Sequence, residues 1–182
     1  MERVTAFGIL SLPIIILSWR ALFNVKSHGF YRFLSWECML WLLVSNLSYW
    51  YDHPFGLRQI ISWIFLFISL YLVIAGVVQL KKGRRTNQRG DEPTLFEFEK
   101  TSDLIDTGIY SLIRHPLYAS LQFLTWGIFL KHTLTSLFMV SVVATIFLFL
   151  TALADEKECI ACFGDKYRDY MKRTKRFIPY LF

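Results

Sequence analysis

Long uninterrupted blocks of apolar residues constrain this chain more than any other feature. About 30 Å of bilayer hydrocarbon takes roughly 20 apolar residues in a helix. Blocks near that length fall at Val4–Leu22, Phe33–Tyr51, Leu57–Leu80, Pro116–Lys131 and Leu134–Leu153. The spacing predicts five membrane spans. The fourth is the shortest and reaches only about 24 Å at 1.5 Å per residue; His132 and Thr133 then turn it into the fifth. Pro13 removes a backbone donor inside the first span and predicts a kink there. No small-residue cleavage site follows the first block, which therefore reads as a retained span and not as a signal peptide. The fold class expected is all-α: a polytopic helical bundle of about five spans with a C-terminal amphipathic helix. Residues 1–182 are read as a single membrane domain, 1–80 holding three N-terminal spans and 81–182 two more spans with the polar segments.

The basic balance, 20 Lys and Arg against 14 Asp and Glu, is placed by the blocks it flanks. Seventeen of the basic residues fall on one side of the predicted bundle and three, Arg3, Arg58 and Lys131, on the other. That asymmetry predicts a cytoplasmic C-terminus and polar segments, with the N-terminus outside. Trp19 and Trp36 near one border, and Tyr49, Trp50 and Tyr51 near the other, suit aromatic belts. No nucleic-acid module is present, so the partners expected are membrane lipids. Cys38, Cys159 and Cys162 are too few and too scattered for a disulfide framework, and the Cys159–Cys162 C-x-x-C lacks the second pair that structural zinc needs. No metal is expected.

Two polar segments carry the remaining information. Residues 81–90, KKGRRTNQRG, suit a headgroup-facing loop. The acidic stretch DEPTLFEFEKTSDLIDTG after it contains Leu95, Phe96, Phe98, Leu104 and Ile105, and is expected to fold back on the protein. Near the C-terminus, Ile160, Phe163, Tyr167 and Tyr170 recur at helical spacing, which predicts an amphipathic helix facing lipid or the bundle.

Within SLIRHPLYAS, residues 111–120, Pro116 suits the first turn of a helix. The unpaired amides of that turn would then make an anion site beside Arg114 and His115. A basic pair at a membrane border can equally be a snorkelling anchor. Glu156 leaves the fifth block near the membrane plane, where an ionised carboxylate is costly unless paired. Arg173 or Arg176, beyond the amphipathic helix, can return to it. Such a pair either orients an acceptor through a guanidinium fork or only pins the tail. Nucleotide-binding glycine motifs and G-x-S-x-G are missing.

Five motifs occur in order: T-G-x-Y at Thr107–Tyr110, R-H-P-x-Y at Arg114–Tyr118, the acidic pair Asp155 and Glu156, F-G-x-x-Y-x-x-Y at Phe163–Tyr170, and R-F-I-P at Arg176–Pro179. Over about residues 96–180 this series resembles the isoprenylcysteine carboxyl methyltransferase and phospholipid methyltransferase family. The resemblance implies an S-adenosylmethionine-dependent methyltransferase, with the cofactor between the last two spans and the C-terminal segment and a lipophilic acceptor arriving from the bilayer. An isoprenylcysteine-like carboxylate is the acceptor expected first, a phospholipid amine or a small thiol next. Cofactor contacts are expected from Gly108, Tyr110, Arg114, His115, Pro116, Tyr118 and Glu156, and catalytic roles from Glu156 and Arg173. Asp155 departs from the family, which more often has a second glutamate there. Sterol reductases resemble the same half of the chain, but with asparagine where this chain has Leu117; a non-catalytic scaffold keeping the fold is the remaining alternative.

Overall fold

A computed structural model describes residues 1–82 and 103–180. The described residues are helical apart from turns and short connections, in the order α1 (Glu2–Leu22), α2 (His28–Asn46), α3 (Leu57–Lys82), α4 (Pro116–Phe129), α5 (Thr135–Phe163) and α6 (Asp165–Arg173). The expected all-α class is therefore found. Lys81 and Lys82 of the expected headgroup-facing loop end α3; the rest of that loop and most of the acidic fold-back segment lie outside the described residues, although Leu104 and Ile105 are seen against the bundle.

Among the described residues three helices, α1, α3 and α5, are long and apolar enough to cross a membrane. The chain is an integral membrane protein of the helical kind. Five blocks of apolar sequence thus do not become five equal helices. Helix α2 begins at His28, five residues before the expected start, and carries His28, Arg32, Glu37 and Asn46 among its apolar residues. Helix α4 has 14 residues, about 21 Å at 1.5 Å per residue. Both lie between the long helices, α2 packing on α1 and α5 and α4 on α3 and α5. The helix of the first block continues through Pro13 to Leu22.

Polar and small residues at the interfaces explain how these helices meet, since apolar side chains alone gain nothing over lipid. On α3, Ser62 donates to the Gly127 carbonyl of α4 at 2.7 Å. A Cβ at Gly127 would stand 2.9 Å from a Leu66 side-chain carbon, so glycine permits this approach. Ser11 of α1 lies 2.8 Å from both carboxylate oxygens of Glu37 on α2. Helix α2 is tied to α5 at its start: Glu158 accepts the His28 backbone N–H at 3.1 Å and meets the His28 ring Nδ1 at 2.6 Å.

At the opposite end of the bundle Lys131 is fully buried. Its ammonium stands 3.6 Å from the Trp63 ring centroid and 5.1 Å from that of Trp50, and donates to Gln59 Oε1 at 3.0 Å. His132 stacks on Tyr49 at 3.8 Å between centroids. Trp50, expected in an aromatic belt, therefore faces a buried lysine, and Tyr49 a histidine ring.

The C-terminal amphipathic helix differs from expectation. Helix α5 runs through Ile160 to Phe163, the chain turns at Gly164, and α6 is only nine residues long. Past α6 the tail pairs in parallel with the segment before α4: Arg114 N–H donates to Lys175 O at 2.7 Å, His115 N–H to Arg176 O at 3.1 Å, and Lys175 N–H to Leu112 O at 3.3 Å. This short ladder places the functional candidates.

Candidate functional site

Glu156, on α5, is the hub. Arg114 Nε donates to its Oε1 at 3.0 Å, and Arg176 spans both oxygens, Nε to Oε1 at 3.1 Å and Nη2 to Oε2 at 2.8 Å. His115 Nε2 stands 3.4 Å from the same Oε1, while its Nδ1 lies 3.5 Å from Asp155 Oδ2. Two guanidiniums and an imidazole thus surround one carboxylate that is 4% exposed. A buried carboxylate is tolerated when opposite charge and hydrogen bonds fill its lone pairs. Arg114 also donates through Nη1 to the Met171 carbonyl at 3.2 Å and to the Thr174 carbonyl, so it clamps the end of α6 as well.

Of the two tail arginines expected within reach of Glu156, Arg176 pairs with it and Arg173 does not. Arg173 is exposed, Nη2 lying 2.5 Å from Asp106 Oδ2. The ladder explains the exchange, because it carries the tail back past Thr174 and delivers Arg176 to Glu156.

His115 is buried against Tyr118 and Phe177, its ring centroid 5.3 Å and 6.3 Å from theirs. Burial by itself pushes its pKa down, yet contact with the carboxylates of Asp155 and Glu156 outweighs that and leaves the pKa raised. Tyr170 donates its hydroxyl to the Tyr110 carbonyl at 2.7 Å; burial pushes the Tyr170 and Tyr167 hydroxyls up, so both stay neutral.

Beside this hub opens a cleft. Of the expected cofactor residues, Tyr110, Arg114, His115, Pro116 and Tyr118 line it. Glu156 does not; Asp155, its neighbour, does, together with Tyr167 and Tyr170 of α6 and Cys159 and Phe163 of α5. Gly108 lies outside the lining. Its φ of +62° is a left-handed turn conformation, and a Cβ there would stand 3.0 Å from the Gln79 side chain. Gln79 in turn donates to Thr107 Oγ1 at 2.5 Å, so the T-G-x-Y stretch holds the turn and α3 together. The helical spacing of Phe163, Tyr167 and Tyr170 was the signal for their shared face, but it did not say that the face meets a cleft. His28, Asp155 and Glu158 bring potential metal-ligand atoms within 4.8 Å of one another; His28 meets Glu158 through both backbone and ring, which makes the group a lock between α2 and α5.

Residues 57–165, which contain α3, α4, α5 and most of the cleft, match the phospholipid methyltransferase family. The chain belongs to that family. Similar proteins with curated descriptions include a methanethiol S-methyltransferase 1 from Bradyrhizobium diazoefficiens, 32% identical over 72 residues, 40% of this chain and 25% of that protein. A methanethiol S-methyltransferase from Pseudomonas deceptionensis is 26% identical over 73 residues, 40% of this chain and 27% of the relative. A delta(14)-sterol reductase from Mus musculus is 24% identical over 163 residues, 82% of this chain and 37% of the reductase. The matches thus span between a quarter and just over a third of the relatives' lengths. No solved structure matches. Membership of a methyltransferase family implies a methyl donor.

Proposed function

We propose that the chain binds S-adenosylmethionine in the Arg114–His115 cleft and transfers its methyl group to a lipophilic acceptor, of the isoprenylcysteine carboxylate kind, at the cytoplasmic membrane face. One relationship carries the reading: the cleft stands back to back with an apolar groove. That groove is lined by Ala119, Phe123, Trp126, Ile146, Phe149 and Phe177 among others. Ala119 follows Tyr118 of the cleft wall, and the His115 ring of the cleft packs against Phe177 of the groove.

The donor set suits a sulfonium nucleoside carrying an amino acid. Tyr110, Tyr118, Phe163 and Tyr167 offer aromatic faces to a cation or a base. Arg114 and His115 bring positive charge toward a carboxylate, and Asp155 places a carboxylate in the same wall. When bound, S-adenosylmethionine supplies an electrophilic methyl group on a good leaving group, so no nucleophile from the protein is needed. The chain's contribution is alignment and exclusion of water. Glu156 acts from behind the wall, holding Arg114, His115 and Arg176 in place. Arg173, paired at the surface, has no role at the reacting centre in this reading.

Small-thiol methylation is the second reading, favoured by the two methanethiol S-methyltransferase relatives. A nicotinamide-dependent reductase is the third, favoured by the length of the mouse reductase match. Thermal stabilisation of detergent-solubilised protein by S-adenosylmethionine and not by NADPH is expected; the reverse result overturns the proposal. Methyl transfer from labelled S-adenosylmethionine to farnesylcysteine, phosphatidylethanolamine or methanethiol then separates the acceptors, with farnesylcysteine expected to win.

A further inference from the structure

Trp126 is the last α4 residue in the lining of the apolar groove. From Ala119 to Trp126, both in its lining, α4 advances seven residues, about 10 Å at 1.5 Å per residue. The indole is pinned. Its Nε1–H donates to Thr145 Oγ1 of α5 at 3.2 Å, and its ring meets Phe129 and Phe138 edge-on, at 5.7 Å and 5.9 Å between centroids. Beside it, Gln122 Nε2 donates to the Thr145 carbonyl at 3.2 Å. Two α4 side chains therefore fasten to one α5 residue at the depth of Trp126, and the groove is bridged there. Toward the tail its walls are apolar: Phe123, Phe149, Phe177 and Ile178.

A bridge held by hydrogen bonds between helices resists displacement by a hydrocarbon chain, because opening it leaves polar groups unpaired in an apolar site. The end lined by Ala119 and Phe177 lies beside the His115 and Tyr118 rings of the cofactor cleft. A tail seated with its reactive head at that end can therefore extend only as far as the indole. We infer that Trp126, braced by Thr145, is the length gauge of the acceptor site and determines which apolar tails are methylated. The inference rests on the proposed methyl transfer to a lipophilic acceptor and adds what selects the acceptor. Trp126 is a specificity-determining residue, remote from the reacting atoms.

The test is a tail-length series. Binding of S-geranyl, S-farnesyl and S-geranylgeranyl N-acetylcysteine, and methylation of each, are measured for the wild type, Trp126→Ala, Trp126→Phe and Thr145→Val. S-adenosylmethionine-induced stabilisation serves as the check on folding. The wild type is expected to show an optimum length and at least a tenfold loss of affinity beyond it. Trp126→Ala moves the optimum to a longer tail while the shortest tail keeps its affinity, Trp126→Phe restores most of the preference, and Thr145→Val broadens it. Identical length rankings in the wild type and a folded Trp126→Ala protein overturn the gauge. If Trp126→Ala does not fold, an unchanged ranking in Thr145→Val overturns it equally. Failure of every tail to bind shows that the groove holds only bilayer lipid, and overturns it too. A Trp126-dependent ranking in binding, without methylation of any tail, leaves the gauge standing and overturns the proposed reaction alone.

Discussion

Arg176 lays its guanidinium across both oxygens of Glu156, with Nε 3.1 Å from Oε1 and Nη2 2.8 Å from Oε2. The contact joins the tail to α5, and through the shared Oε1 it joins both to Arg114 on the segment before α4. Three stretches far apart in sequence depend on one carboxylate. Removing one partner of a buried ion pair leaves uncompensated charge and costs about 3–5 kcal/mol. Glu156→Gln is expected to lose stability on that scale and to weaken S-adenosylmethionine binding with it, read by thermal denaturation with and without the cofactor. Wild-type stability in that variant would show that the hub does not hold the cleft.

Arg173 gives the opposite expectation. Its ion pair with Asp106 is at the surface, and exposed pairs contribute about 0–1 kcal/mol. Arg173→Lys should match the wild type in melting temperature, cofactor affinity and kcat. A large selective loss of kcat would bring the residue back to the reacting centre.

The His115 pKa is raised in the folded chain, which fixes the sign of a pH dependence. Its charged form is favoured by folding, through Asp155 and Glu156. The resulting stability is fully present below the unfolded value, about 6.5, and is lost as pH rises through the folded value. Melting temperatures measured upward from about pH 6 should fall more steeply for the wild type than for His115→Gln. Parallel profiles would assign the dependence to another group.

Lys131 lies at the other end of the bundle, held by Trp63, Trp50 and Gln59. A desolvated cation–π contact is worth about 2 kcal/mol. Lys131→Met should lower the melting temperature while cofactor affinity is unchanged, since the cleft is at the opposite end. Loss of cofactor affinity without loss of stability would contradict this separation.

Gly108 tests the turn before the cleft. An alanine there must adopt a left-handed conformation, at about 1 kcal/mol or more, and push against Gln79. Gly108→Ala is expected to reduce stability modestly and cofactor affinity with it, because Tyr110, two residues on, lines the cleft. Equal affinity in binding titrations would show that the turn and the cleft are independent.

The apolar blocks by themselves determined the helical membrane class, since an unsatisfied backbone in lipid leaves a chain little else to form. They also determined where α1, α3 and α4 begin, within two residues. The stretch Arg114–Tyr118 was legible because Pro116 marks a helix start and two basic residues precede it. Less of the C-terminal half was visible. Helical periodicity continues through Phe163 whether α5 stops at the membrane border or runs on, so the sequence did not show that Ile160 and Phe163 belong to α5. Nor did it choose between Arg173 and Arg176, which lie three residues apart and are both within reach of Glu156 along an unfolded tail. The parallel pairing of residues 112–115 with 174–177 made that choice. It turns one arginine to the hub and leaves the other at the surface, and backbone hydrogen bonds between distant segments have no local signature. For the same reason the cleft wall took Asp155 and left Glu156 behind it: adjacent residues on a helix point about 100° apart, and which of them faces a cavity depends on what packs against the helix.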